Sequence, residues 1–160
     1  MDYTRNSDLT YYKSHPDYTN CGSYALRLNE WYDPEEYFED IYGSIYDWIE
    51  EKGSEEYSDS EITDIYSSIL VEGMLQEFEG ELELCDGWPP SEPNKELIAF
   101  NTFCHWDDGV NWTNYDFHFK VFRNGKWSEK CGCNEVQDCE EDDWGRYIGE
   151  PCYFYHTINI

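Results

Sequence analysis

The sequence predicts an α+β fold in which N-terminal helices pack on a C-terminal antiparallel sheet. Apolar residues recur at helical spacing in the first half of the chain, whereas apolar and polar residues alternate in the second half. Of the 160 residues, 39% are hydrophobic and 19% are aromatic, which is enough for one core. We therefore expect one domain over residues 1–160, with a helical half at about 20–80 and a strand-rich half at about 96–160.

The helical half is predicted to begin with a short helix and a longer one. Residues 1–19 are polar and predict an irregular lead-in, after which the short helix is expected over 21–28. Asp33 as the N-cap and Pro34 at the first helical position predict a second helix that continues to Gly53. Its expected apolar face consists of Phe38, Ile41, Tyr42, Ile45, Trp48 and Ile49.

A third helix is predicted by the capping box that Ser58 and Glu61 can form. It should end by Gly80 and carry one apolar face made of Ile62, Ile65, Ile69 and Leu70. The following segment, 87–94, is rich in Gly and Pro and predicts a loop between the two halves. Neither half has enough apolar residues for a core of its own, so we expect no domain boundary there.

The second half predicts four strands. Strands are expected over 96–104 and 115–122, because β-branched, aromatic and apolar residues cluster there and alternate with polar ones in the second segment. Asn124-Gly125 then predicts a type I′ hairpin turn, with a return strand over 127–131. An acidic loop follows at 135–143, and a terminal strand is expected over 152–158.

The net charge of −26 excludes several classes of partner. Such a surface repels nucleic acid and anionic membranes, so neither is expected to bind directly. It favours a basic partner, and proteins whose natural ligand is nucleic acid are the clearest class. The chain has no apolar run long enough to span a bilayer and no secretory leader at its N-terminus, so we expect a cytoplasmic protein whose seven irregularly spaced cysteines are mostly thiols.

The acidic residues concentrate in the predicted second and third helices. Residues 33–64 contain 13 Asp or Glu and one Lys. Carboxylates spaced along rigid helices can imitate the phosphates of a nucleic acid. One functional hypothesis is therefore a non-enzymatic acidic inhibitor, encoded by a phage or mobile element, that blocks a nucleic-acid-binding defence protein by DNA mimicry. Its targets would be CRISPR effectors or restriction enzymes.

A second hypothesis comes from one cysteine and one histidine. Cys21 lies where a helix should begin, and a helix N-terminus favours the thiolate, which is the reactive form. His118 lies on the polar face of a predicted strand, and a strand is rigid enough to hold a general base in position. Asn20, or the backbone N–H of Cys21, is a candidate donor to an oxyanion. Asn134 and Asp138 are the candidates for a third residue that orients the imidazole, and the sequence does not choose between them.

A zinc site is the competing interpretation of the remaining cysteines. The candidate ligands are Cys131, Cys133, Cys139, Cys152 and His156. Their spacing is not that of a common zinc finger or ribbon, and carboxylates interrupt it. We therefore expect neither a metal nor a cofactor, and plain thiols or a local disulfide instead.

Two short blocks resemble a known family. The segments Asn-Cys-Gly-Ser-Tyr-Ala-Leu at 20–26, Asp-Phe-His-Phe at 116–119 and Asn-Gly-Lys-Trp-Ser-Glu-Lys-Cys-Gly at 124–132 resemble small papain-like cysteine-peptidase domains of bacteria and their phages. The resemblance covers about 25 residues and has the Cys-then-His order of papain-like folds. It implies a papain-like α+β fold, with Cys21 as nucleophile and His118 as base.

The resemblance also implies an activity. A domain of this kind would be a thiol hydrolase acting on a peptide or amide bond, and it would work in the host bacterial cytoplasm if a phage encodes it. The resemblance does not extend to a substrate or to the third catalytic position.

Overall fold

The computed structural model describes residues 9–85, 90 and 92–158, and it combines α-helices with one antiparallel sheet, as the sequence predicts. The helices are α1 (Tyr11–Ser14), α2 (Cys21–Leu26), α3 (Glu35–Tyr42), α4 (Ile45–Ser54) and α5 (Asp59–Glu77). The strands are β1 (Leu82–Cys85), β2 (Lys95–His105), β3 (Asn114–Arg123), β4 (Lys126–Lys130), β5 (Val136–Asp138) and β6 (Cys152–Thr157). A 3₁₀ turn, Pro16–Tyr18, links α1 to α2.

The strands form one sheet in the order β1-β6-β2-β3-β4-β5, and every neighbouring pair is antiparallel. At its centre, β2 and β3 pair along most of their length, with Asn101 opposite His118. The predicted hairpin turn is confirmed: Asn124 and Gly125 both have positive φ, at 56° and 78°, as a type I′ turn requires. This turn fixes the register of β4 against the strand that carries His118.

The main core lies between the helices and one face of the sheet. Helix α5 packs along β2, and α2 packs against β3 and β4. The fully buried large side chains there include Tyr32, Tyr66, Phe38, Phe100 and Phe119. Leu97, Ala99, Trp127 and Tyr155 form a smaller cluster apart from this core. Because both faces of β2 are covered, its nine central residues are all buried.

The lead-in before Cys21 is more ordered than the sequence predicts. Residues 11–18 form α1 and the 3₁₀ turn, and the side chain of Tyr12 is completely buried. The Tyr12 hydroxyl donates to the carbonyl of Leu28, at 2.9 Å. The lead-in therefore contributes to the core and holds the loop that follows α2, a role that its polar composition does not reveal.

The predicted second helix is two helices. The first of them, α3, begins at Glu35, whose backbone N–H donates to the Asp33 carboxylate at 2.9 Å. This helix stops before Gly43, where φ is 80°. Ser44 then caps a new helix by accepting from the N–H of Asp47, at 3.2 Å. The predicted continuous apolar face was wrong at the break, because Ile41 and Tyr42 are about half exposed.

The other local predictions fare differently along the chain. The capping box at the start of α5 is confirmed, since Ser58 and Glu61 bind each other's backbone N–H groups at 3.1 Å. Two short strands, β1 and β5, were not predicted, and β5 lies inside the expected acidic loop. Half of the predicted loop 87–94 lies outside the described residues. In the part of the chain that the structure describes, no helix has the length and apolar character of a membrane span.

Candidate active site

Asn20 positions Cys21 at the first residue of α2. The Asn20 side-chain oxygen accepts from the N–H of Ser23, at 3.0 Å, and the Ser23 hydroxyl accepts from the N–H of Asn20, at 2.7 Å. The same amide group also donates to the carbonyl of Tyr32, at 2.7 Å, and accepts from its N–H, at 3.2 Å. Asn20 thus caps α2, and it also lines the cleft that contains Cys21. The backbone N–H of Cys21, in the first turn, remains the candidate donor.

Gly22 lets α2 approach the sheet closely. A Cβ at this position would lie 2.8 Å from the Tyr32 ring and 3.2 Å from the Phe119 ring, and both distances are shorter than ordinary contacts. Gly22 and Ser23 are both buried, so their small size serves packing and capping.

His118 is held in a fixed orientation by Glu129. Its Nε2 atom lies 2.6 Å from a carboxylate oxygen of Glu129, and both side chains are largely buried, at 8% and 14% exposed. The imidazole stacks on Tyr147 with a centroid distance of 5.4 Å and meets the edge of Trp144. Because Nε2 is engaged by the carboxylate, Nδ1 is the ring nitrogen available to a thiol.

Two thiols lie close enough to His118 to influence its pKa. Burial by itself lowers the pKa of His118, but hydrogen bonds with Cys131, Cys21 and Glu129 outweigh burial and raise that pKa to about 12. The Glu129 pKa moves in the matching direction, downward, chiefly because of the hydrogen bond from His118. Cys21 and His118 line one cleft, and Cys131 is an additional thiol in that lining that was not expected there.

Glu129 occupies the position for which Asn134 and Asp138 were the candidates. Asn134 lies exposed in a turn, where its backbone N–H binds the carbonyl of Cys131 at 2.9 Å. Asp138 is exposed on β5 and pairs with Lys126 at 3.1 Å. The structure therefore places Glu129 beside His118, whereas Asn134 and Asp138 lie outside the cleft.

Two buried lysines hold the backbone around the site. Lys130 is fully buried, and its ammonium group donates to the carbonyls of Pro16, Thr19 and Gly132 at 2.5–2.7 Å. Burial lowers the Lys130 pKa. Lys120, on β3, donates in the same way to the carbonyls of Glu140 and Asp143 and lies over the Trp144 ring. Together they attach the segment before Cys21 and the acidic loop to the sheet.

A buried carboxylate joins the other end of α2 to the sheet. Glu96 accepts from Arg123 at 2.6 and 2.8 Å and from Arg27 at 3.0 and 2.8 Å. Arg123 also donates to the carbonyls of Tyr24 and Ala25 at the end of the helix. Burial would raise the Glu96 pKa, but the hydrogen bonds from the two arginines lower it to about 2.

The thiol and the imidazole open into a cleft of about 650 Å³. Acidic side chains line much of it, including Asp33, Glu35 and Asp143, and Trp31 forms an exposed aromatic wall. Burial raises the pKa of Glu35 to about 7, although a hydrogen bond from Tyr66 opposes the shift. The cleft combines a thiol, an imidazole and space for a ligand, which are the groups that nucleophilic catalysis uses.

The zinc ligands considered from the sequence are dispersed. His156 binds Glu81, the residue before β1, at 2.9 Å, and Cys152 lies opposite Phe100 in the sheet. Among the described residues, one other group with metal-binding atoms stands out: His118, Glu129 and Cys131 offer three such atoms within 4.8 Å of one another.

No protein-family model, curated protein or solved structure matches this chain.

Proposed function

We propose that this protein is a papain-like thiol hydrolase that cleaves a peptide or amide bond. The observation that carries the proposal is the sequence of contacts from Cys21 at the first residue of α2, through His118, to Glu129, along one wall of an open cleft. The resemblance of residues 20–26 and 116–132 to papain-like domains supports the same fold and the same roles for the cysteine and the histidine.

Each side chain has a defined part in the proposed reaction. His118 takes the proton of Cys21, and the thiolate attacks the carbonyl carbon of the substrate. The backbone N–H of Cys21 donates to the resulting oxyanion. The C–N bond then breaks as the imidazolium gives its proton to the leaving amine, and water hydrolyses the thioester that remains. Glu129 orients the ring and stabilises its charged form, as the acidic member of a catalytic triad does.

The deciding experiment is to trap the thioester. Incubating the full chain with pools of peptides and isopeptides, followed by acid quenching and intact-mass spectrometry, should show a single acyl adduct. Peptide mapping should place it on Cys21, and hydroxylamine should remove it. The exposed Cys133 is the internal control, because it lies outside the cleft. Adducts distributed over several cysteines, or none with any pool, would exclude the proposal.

A second candidate function is supported by the surface of the acidic helices. Ten of the 13 acidic residues in 33–64 are exposed, and Ile41, Tyr42 and Tyr46 are exposed among them. Carboxylates around apolar and aromatic anchors are suited to a basic protein surface. On this candidate, the protein inhibits a nucleic-acid-binding host defence protein, such as a CRISPR effector or a restriction enzyme, by imitating DNA.

Reversing charges on α3 should abolish such binding. The triple change Glu36→Lys, Glu39→Lys and Asp40→Lys is expected to weaken displacement of labelled duplex DNA from the target nuclease at least about tenfold, and displacement by the unmodified protein should weaken as salt rises. The measurement is a fluorescence-anisotropy competition against a panel of CRISPR and restriction nucleases. The matched control reverses Glu135, Glu140 and Asp142 in the second acidic cluster. Equal loss in both variants, or no displacement from any nuclease, counts against mimicry.

A further inference from the structure

Three metal-binding side chains meet on the wall of the cleft where β4 ends. A nitrogen of His118, an oxygen of Glu129 and the sulfur of Cys131 all lie within 4.8 Å of one another, and all three residues line the cleft. The side chains of His118 and Glu129 are largely buried, and Cys131 is half-buried. Cys131 has no part in the proposed hydrolysis, so the cluster offers chemistry that the hydrolysis leaves unused.

We infer that His118, Glu129 and Cys131 form a Zn²⁺ site that opens into the cleft. The strand pairing explains why these three residues meet. Glu129 and Cys131 are two residues apart, so an extended chain directs both side chains to one face of the sheet. The register that pairs Val121 with Ser128, continued along the hairpin, sets Cys131 opposite His118.

Gln137 contacts two of the three ligands. It lies opposite Glu129 in the pairing of β5 with β4. Its side-chain amide donates to the Glu129 carboxylate at 3.4 Å and to the Cys131 sulfur at 3.9 Å. Hydrogen bonds from an outer residue to metal ligands orient those ligands and strengthen metal binding. Gln137 is therefore a positioning residue for this site.

The backbone on both sides of the Cys131 thiol is held in place. The buried ammonium group of Lys130 donates to the carbonyl of Gly132 at 2.5 Å. The N–H of Asn134 donates to the carbonyl of Cys131 itself at 2.9 Å. Because the turn is already ordered, a metal that binds the thiol pays little additional conformational entropy.

The metal would replace the proton between His118 and Glu129. Nε2 of His118 lies 2.6 Å from a Glu129 oxygen, which is a hydrogen-bond distance. Zinc bonds of about 2.0 Å to nitrogen and oxygen and about 2.3 Å to sulfur place tetrahedral ligand atoms roughly 3.3–3.5 Å apart. The carboxylate must therefore move away from the ring by less than about 1 Å, and the sulfur must move inward by about 1 Å, which side-chain rotations allow.

The donor set selects the metal. Imidazole, thiolate and carboxylate are all zinc ligands, whereas magnesium and calcium prefer oxygen ligands alone. One Zn²⁺ displaces two protons, one from the Cys131 thiol and one from the hydrogen bond between His118 and Glu129, so metal uptake releases protons. Three protein ligands leave a fourth tetrahedral position for water or a ligand in the cleft.

Zinc and the proposed hydrolysis exclude each other, because both require the His118 ring. This consequence rests on the proposed hydrolase function, whereas the metal site itself does not. If the protein hydrolyses amides, Zn²⁺ is expected to inhibit it reversibly, and a chelator should restore activity.

The test is titration of the reduced full chain with Co²⁺, with excess Mg²⁺ present to occupy the acidic surface. One equivalent should produce thiolate-to-cobalt charge-transfer absorption in the near ultraviolet, and Zn²⁺ should abolish it by displacement. Cys131→Ser should remove that absorption, because Cys131 is the one thiolate ligand of the site. Gln137→Leu should weaken binding by about tenfold or more while the absorption at saturation persists.

Two other cysteines provide the controls. Cys133→Ser removes an exposed thiol two residues from Cys131, and Cys21→Ser removes the other thiol of the cleft. Both variants should keep the charge-transfer absorption at one equivalent. In the unmodified protein, Zn²⁺ should protect Cys131 from alkylation by iodoacetamide and leave Cys133 reactive, as peptide mapping would show.

The metal site is overturned if cobalt binds without charge-transfer absorption, which is the result expected of surface carboxylates. It is also overturned if Cys131→Ser and Cys133→Ser titrate alike, or if Zn²⁺ leaves the alkylation of Cys131 unchanged. Because these readouts need no substrate, a protein that binds the metal but hydrolyses nothing would contradict only the proposed function.

Discussion

Replacing Cys21 with alanine should reduce kcat/KM for amide hydrolysis by roughly 10⁴-fold or more, the scale on which triad hydrolases lose activity with their nucleophile. The thiol is the only group in the proposed mechanism that bonds to the substrate. The fold should survive, because Asn20 and Ser23 cap α2 without using the Cys21 side chain. The measurement is steady-state kinetics on the substrate found by acyl trapping, with circular dichroism to verify the fold.

Three further variants distinguish a loss of catalysis from a loss of the folded structure. His118→Ala should approach the Cys21→Ala loss, whereas Glu129→Gln should lower kcat by about 10²- to 10⁴-fold with little change in KM, since glutamine keeps the shape but not the charge that stabilises the imidazolium. Cys133→Ser should retain full activity because that thiol lies outside the cleft. Turnover that persists in both Cys21→Ala and His118→Ala would assign the hydrolysis to a contaminant or to another site.

Replacing Glu96 with glutamine should cost about 3 kcal/mol of unfolding free energy. The change leaves Arg123, which is 3% exposed, and Arg27 as buried cations without a counter-charge, and removing one member of a buried ion pair is strongly destabilising. Urea unfolding at neutral pH measures the loss. The control is Glu83→Gln, an exposed carboxylate paired with Lys95 at 3.4 Å, for which about 1 kcal/mol or less is expected.

The Glu96 contribution should depend on pH in a defined direction. The pKa of Glu96 is about 2 in the folded protein and 4.5 as the ordinary value, so the folded state favours the carboxylate. Its contribution is complete above about pH 4.5 and is lost as the pH falls toward about 2, and the shift corresponds to roughly 3 kcal/mol. The stability difference between the unmodified protein and Glu96→Gln should therefore shrink over that interval. A difference that stays constant with pH would show that the variant acts through packing.

Local chemistry explains why some elements were predictable. A type I′ turn at Asn124-Gly125 and a capping box at Ser58 depend on neighbouring residues, so the sequence reveals them directly. The position of Glu129 beside His118 could also have been predicted from the sequence. The turn pairs Arg123 with Lys126, and the same register carried along β4 places Glu129 on the face of the sheet that bears His118. Asn134 and Asp138, the residues predicted for this role, lie further along the chain, beyond β4.

Other features depend on tertiary contacts that no local pattern contains. The placement of Cys131 and Cys21 in one cleft requires α2 to pack on β3, and Gly22 permits that packing because a larger residue would meet the Phe119 ring. Lys120 lies two residues after His118 on the same strand, and the acidic loop folds over it and supplies backbone carbonyls. A lysine in a strand pattern does not indicate whether solvent or carbonyl groups will surround its ammonium group.

The burial of basic residues makes the exterior more acidic than the formal charge implies. Lys120, Arg123 and Lys130 are no more than 5% exposed, whereas among the described carboxylates only Glu96 is buried comparably. The chain has ten basic residues, so nearly a third of its positive charge faces inward. Amine-reactive reagents should therefore leave Lys120 and Lys130 unmodified in the folded protein and reach them only on unfolding. Their acylation is a chemical reporter of whether the loops around the cleft are closed or detached.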